Sequence, residues 1–222
     1  MCGRFVLDAN AKTLQTKFQI DTIIAEPKPC FNIAPMQSVA VIFNVDGERQ
    51  LDMFRWGLIP SWSKEYKIAN RMFNARAETI HKKLSFNRSF KERRCLIPAT
   101  GFYEWTKTPI GKIPVYIYLK SKQPLAFAGV WDTWISRRGK VINSCSIVTT
   151  TSNKLLEPIH NRMPVILPHE SIEFWLDTDE KSPEDLLPLL KPYPTEEMAY
   201  YAVSKMINSP SNDMPECILP RS

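Results

Sequence analysis

The sequence predicts one α+β domain over residues 1–222, built on a strongly bent, mainly antiparallel β-sheet or partial barrel with short peripheral helices. Three observations predict it. Runs of β-branched and aromatic residues recur along the chain with turn residues between them. Eighteen prolines against seven glycines disfavour long helices and favour short elements joined by rigid turns. At 222 residues and 44% hydrophobic content, the chain can bury one substantial core, and no repeat or low-complexity tract divides it.

Taken in order, Leu14 and Phe18 mark a short helix near the N-terminus. Residues 39–45, the pair Asp46-Gly47 and residues 50–56 read as a β-hairpin with a tight turn. Residues 113–119, 125–131, 141–149 and 163–167 read as strands, with a turn at Gly139-Lys140. Residues 152–157 and 171–176 have helical patterning. Ser182-Pro183-Glu184-Asp185 opens a further helix, with Ser as N-cap and Pro at the first helical position.

The net charge of +6 suits an anionic partner, nucleic acid above all, and also serves solubility. Five cysteines, an odd count without CxxC spacing, point to reduced thiols and a cytoplasmic protein. His81, His160 and His169 have no zinc-site spacing, so neither metal nor cofactor is expected. No stretch reaches the length of a membrane span, and the first residues lack the apolar run of a signal peptide.

Removal of Met1 would leave Cys2 with a free α-amine beside its thiol. The amine ionises near pH 8 and the thiol near 8.5, so both are partly nucleophilic at neutrality. An aldehyde condenses with the amine to an imine, and the thiolate then closes a thiazolidine ring. An internal cysteine cannot do this, because its nitrogen is held in a peptide bond. Position alone also fits a small residue that merely lies near a terminus.

Five other segments are dense in chemistry. Residues 73–79 combine Asn74, Arg76 and Glu78, as a site or as a helix start with solvated charges. Glu104 stands between Tyr103 and Trp105 after an apolar run, where desolvation would make it a usable acid or base. An edge-strand surface position is the alternative. His160 lies between Pro158 and Pro164 beside Arg162, as a proton shuttle or a structural residue. Trp56 and Trp62, with the turn-like Asn32-Ile33-Ala34-Pro35-Met36, offer groups for base stacking or for the core.

These segments together resemble the SRAP (SOS-response-associated peptidase) family of abasic-site processing proteins. The resemblance is carried by Met1-Cys2-Gly3-Arg4-Phe5, Asn32-Ile33-Ala34-Pro35, Trp56-Gly57-Leu58-Ile59-Pro60-Ser61-Trp62, Asn74-Ala75-Arg76-Ala77-Glu78-Thr79, Gly101-Phe102-Tyr103-Glu104-Trp105, Ile159-His160-Asn161-Arg162-Met163-Pro164 and Val203-Ser204-Lys205, in the family's order. It implies a single compact domain with a basic groove for single-stranded DNA. Nothing in the sequence demands more than a monomer, and replication machinery is a candidate further partner. The resemblance implies Cys2, Asn74, Glu104 and His160 as catalytic residues. Arg4, Arg76 and Arg162 would hold phosphates, while Asn32, Pro35, Met36, Trp62 and Ser204 would line the DNA path. Ser63 and Met163 depart from relatives that carry an aromatic and an arginine there. The implied reaction is a covalent crosslink from Cys2 to an abasic deoxyribose, with self-removal of Met1 and weak lyase activity. Two other readings share these residues: a cysteine-dependent peptidase or amidohydrolase acting in trans, and a non-enzymatic nucleic-acid-binding protein.

Overall fold

The computed structural model describes residues 2–109, 111–179 and 181–221. Met1 lies outside them. The strands are β1 (Phe5–Leu7), β2 (Thr22–Ile23), β3 (Cys30–Ile33), β4 (Ser38–Val45), β5 (Glu48–Trp56), β6 (Asn74–Arg76), β7 (Arg94–Ala99), β8 (Gly101–Thr108), β9 (Gly111–Leu119), β10 (Leu125–Ile135), β11 (Val141–Thr151), β12 (Arg162–Pro164) and β13 (Met198–Ala202). The α-helices are α1 (Ala11–Phe18), α2 (Asn87–Glu92), α3 (His169–Leu176) and α4 (Pro183–Leu186). None is long and apolar enough to cross a membrane.

One sheet runs β13-β9-β8-β1-β3, and a second runs β12-β11-β10-β7-β4-β5-β2. In the second, β5 returns to pair with β11, at Ser144↔Arg55 and Cys145↔Trp56. That parallel contact closes β11, β10, β7, β4 and β5 into a barrel, where the sequence predicts a bent sheet or partial barrel. The two sheets meet through aromatic edges. Phe5 of β1 packs on Trp56 at 5.1 Å and on Phe127 at 5.8 Å, and Phe102 packs on Phe127 at 5.9 Å. All four rings are buried, so the strand that follows Cys2 is pinned between the sheets.

Local chemistry explains the elements. In the β4–β5 hairpin, Asp46 and Gly47 both have positive φ, as a two-residue turn of this hand requires. Asn10 caps α1 by accepting from Thr13 N–H, and Ser182 with Asp185 forms a reciprocal capping box at α4. Gly57 has φ 140°, and a Cβ there would meet the Ala69 carbonyl oxygen at 2.8 Å. No other residue fits, so the chain after Trp56 turns close under the 66–71 helical turn.

Three expectations change. Residues 152–157 do not form a helix; successive turns run over 154–159 instead. The Asn153 side chain accepts from Leu156 N–H, and Pro158 has no N–H to continue the ladder. Residues 74–76 form β6, parallel to β11, where a helix start was one reading. Of the 163–167 run, only Met163 and Pro164 belong to a strand, β12, with one further bridge from Ile166 to Phe127.

Candidate active site

Cys2 is fully buried, just ahead of β1. The β1–β8 ladder continues toward it: Tyr103 N–H donates to the Arg4 carbonyl at 2.9 Å. The same register carries Gly3 opposite the next β8 residue, Glu104, and brings its charge within reach of the Cys2 thiol. From the other side, the Asn74 amide donates to the Cys2 carbonyl at 2.7 Å. Asn74 is placed by the pairing of β6 with β11 and by Trp56, whose indole N–H donates to the Phe73 carbonyl at 2.8 Å. The Asn74 side-chain oxygen is buried and makes no hydrogen bond, so it is an acceptor waiting beside Cys2. Glu104 is 5% exposed, on a strand packed among aromatics, and the surface-position reading is thereby excluded.

His160 ends the turns that lead into β12. Its Nδ1 accepts the backbone N–H of Arg162 at 3.0 Å. A neutral ring held this way carries its proton on Nε2 and donates from there. The Arg162 guanidinium bonds to Glu78 Oε1 and to the Thr149 carbonyl, each at 2.5 Å. Burial alone would raise the Glu78 carboxyl, but the Arg162 hydrogen bond and charge hold it below its usual value.

Burial pushes the Cys2 thiol well above its ordinary value, and the negative charge of Glu104 adds to the rise. Burial does the same to Cys95 and Cys145. The sign of the consequence is clear. Unfolded thiols ionise near pH 9.0, whereas these stay protonated in the folded chain, so the native state binds more protons above that pH. Stability is therefore full below pH 9 and falls as pH rises. At pH 10 the three thiols together should lower it by about 4 kcal/mol, at about 1.4 kcal/mol per pH unit each. Urea midpoints at pH 8 and pH 10 test this; an unchanged midpoint contradicts it.

The residues expected to meet DNA separate into two groups. Trp62 is 59% exposed and lies over a cleft of about 730 Å³ with Lys64, Lys67 and Arg71. Arg76 and Ser204 are exposed, and Pro35 and Met36 are half-buried. Met36 has φ 78°, a costly conformation for a residue with a side chain, and such positions concentrate at functional sites. Arg55, which the sequence did not single out, donates to the Met36 carbonyl at 3.1 Å and stacks on Tyr66 at 4.6 Å. Tyr66 is eleven residues away through a loop, so no local spacing announces the pair.

Three of the residues expected to meet DNA are bonded to protein acceptors. Asn32 is fully buried, and its amide bonds the carbonyls of Ile207, Ser209 and Asn212. From this buried position it fastens the C-terminal segment. Arg4 bonds Asn32 Oδ1 at 2.7 Å and the Ile207 carbonyl at 2.6 Å, so one arm of its fork belongs to the same knot. Arg162 is likewise engaged through both terminal nitrogens, and its side chain is only 13% exposed.

A family profile described as "SOS response associated peptidase (SRAP)" matches residues 1–210. The chain is 43% identical to the abasic site processing protein YoqW of Bacillus subtilis, over 98% of this chain and 99% of that one. It is 33% identical to the abasic site processing protein HMCES of Xenopus tropicalis, over 86% of this chain and 66% of that one. A crystal structure of a Bacteroides thetaiotaomicron protein superposes over the whole of both chains with a TM-score of 0.87 and 30% identity. With a matching profile over nearly its whole length and relatives of this identity, the chain belongs to the SRAP family.

Proposed function

We propose that this protein processes abasic sites in single-stranded DNA, and that with Met1 removed, Cys2 captures the open-ring deoxyribose as a thiazolidine crosslink. The names of the relatives supply the substrate class. The observation that carries the chemistry is the grip on Cys2: its carbonyl is held by Asn74, whose side-chain oxygen is buried and unsatisfied, and its thiol lies within the field of Glu104.

The steps balance. Ring opening of the hemiacetal breaks the C1′–O4′ bond, and the proton leaving the C1′ hydroxyl ends on O4′. The Cys2 amine adds to the C1′ aldehyde, and water leaves to give an imine. The Asn74 oxygen accepts an amine N–H and aims the lone pair at C1′. The thiol then adds across the C=N bond: sulfur joins C1′, and the thiol proton passes by way of Glu104 to nitrogen. The net reaction is aldehyde plus aminothiol to thiazolidine plus one water. An imine that fails to close is open to β-elimination, which gives weak lyase activity.

The raised Cys2 thiol disfavours the alternative of a cysteine peptidase acting in trans. Such an enzyme needs a depressed thiol pKa and a base that withdraws its proton. Here burial and Glu104 both act against the thiolate, and His160 Nδ1 is already occupied by the Arg162 N–H. In the imine route the amine attacks first, so no standing thiolate is required.

The reading is tested by mixing the protein with a single-stranded oligonucleotide bearing one abasic site and resolving the products on a denaturing gel. A slow-migrating species is expected for the wild type and none for Cys2→Ala. A species that persists in Cys2→Ala overturns it.

A further inference from the structure

The β10–β11 ribbon grips the loop that carries Trp62 at three alternate residues. Asp132 and Ser144 are cross-strand partners, and Trp134 lies two residues along β10 on the same face. Ser144 Oγ accepts the N–H of Ile59 at 2.8 Å, and Asp132 Oδ2 accepts the N–H of Ser61 at 2.7 Å. The Trp134 indole N–H donates to the Ser63 carbonyl at 2.7 Å. All three gripping residues are buried, which shields these bonds from water. The Trp134 ring also packs against Tyr66 at 6.2 Å, and it clusters with Ile59 and Ala69. The ribbon and the Trp62 loop are thereby one body.

The ribbon runs on past this contact into a tip. Gly139 N–H donates to the Ser136 carbonyl and Ser136 N–H to the Lys140 carbonyl, each at 2.9 Å. Gly139 has φ 78° and is the residue this turn requires. The turn asks nothing of its other positions, yet they hold Arg137, Arg138 and Lys140, all exposed. At about 3.3 Å per residue, Arg138 lies within about 13 Å of Trp134 along the chain. Residues 62–71 and 133–143 together hold six Lys and Arg against one carboxylate, Glu65, and so nearly the whole net charge of +6. Among the described residues, none of these six cations forms an ion pair. Unpaired like charges on one surface repel each other and raise the local potential for an anion.

We propose that this tip is a second grip on DNA: Arg137, Arg138 and Lys140 bind phosphates of the single strand after it has passed Trp62. The proposal rests on the abasic-site reading above and extends the strand's footprint beyond the reacting nucleotide. A single strand is the partner because an exposed indole stacks on bases that are already unstacked from a duplex. Phosphate contacts position a strand without reading its sequence, so the tip adds affinity and register. The ribbon holds Trp62 and the tip at a fixed spacing, so a strand stacked on Trp62 meets the three cations without further ordering of the protein. The tip takes no part in the covalent steps.

Three oligonucleotides with one abasic site test this: a short one, one lengthened only on the 5′ side of the lesion, and one lengthened only on the 3′ side. The triple variant Arg137→Gln, Arg138→Gln, Lys140→Gln removes exposed charges that bond nothing among the described residues, so it should fold as the wild type does. The wild type is expected to bind one of the two lengthened strands more tightly than the short one, and the variant to lose that gain. With three phosphates at about 0.7 each, the salt slope on that strand should fall by about two. Between about 50 and 200 mM salt, the wild type should then lose roughly twentyfold more affinity than the variant. On the short strand the two proteins should bind alike, and crosslinking at saturating DNA should run at the same rate on all three. An unchanged slope overturns the proposal, as does an equal loss on the short strand, which would mark a diffuse charge effect. Slower crosslinking at saturation also overturns it. If the wild type shows the expected slopes but crosslinks none of the three, the proposed function is at fault rather than the grip.

Discussion

Cys2→Ser should lose the stable crosslink and still be trapped on DNA by borohydride. Serine keeps the α-amine, so the imine forms, but the hydroxyl is a poor nucleophile toward it. The ring closure that is lost is intramolecular. Its advantage comes from amine and thiol sharing one residue, and well-oriented reactions of that kind reach effective molarities on the order of 10⁵ M or more. The heat-stable species should therefore fall at least about a hundredfold, while borohydride-reduced adduct remains and strand cleavage increases. Denaturing gels with and without reductant read all three. A heat-stable species at the wild-type level would place the second bond on some other group. The remaining cysteines offer no substitute: Cys95, Cys145 and Cys217 are buried in the core, and burial pushes Cys30 up to about 11.

Glu104→Gln should slow crosslinking by about 10²–10⁴-fold without weakening DNA binding. The carboxylate is the one acidic group that acts on the Cys2 thiol, and the proposed steps need proton movement twice, at loss of water and at ring closure. Glutamine fills the same volume on β8, where Glu104 pairs with Val115, so the strand should stand unchanged. Crosslinking rates alongside binding curves to an oligonucleotide without an abasic site make the test. Loss of binding in proportion to rate would mean that Glu104 shapes the groove instead. The neutral residue should also ease the Cys2 thiol, since the charge that raises it is gone.

Much of the fold was legible because its signals are local. The β4–β5 hairpin announces itself through Asp46-Gly47 between alternating runs, and α4 through its Ser182-Pro183 start. The closure of the barrel was not legible in the same way. It depends on β5 meeting β11 in parallel, ninety residues later, and no local pattern encodes such a pairing. Likewise β6 is three residues long and takes its strand character from β11 rather than from its own composition. The site shows the same division. Cys2, Asn74, Glu104 and His160 stood out by residue type and by the family resemblance. That Arg162 and Asn32 would be engaged by protein acceptors could not be seen, because Glu78, Thr149 and Ile207 reach them only through the fold.

The central claim is that Cys2 acts with its amine and its thiol together, and one measurement bears on it most directly. The intact mass of the purified protein is taken before and after exposure to an oligonucleotide with a single abasic site. The expected starting mass is that of the 25.6 kDa chain less Met1. The expected product is heavier by the oligonucleotide less one water, and borohydride leaves it unchanged because the imine has closed. A covalent product on a chain that retains Met1, or one that gains two hydrogens under borohydride, would contradict the thiazolidine at Cys2.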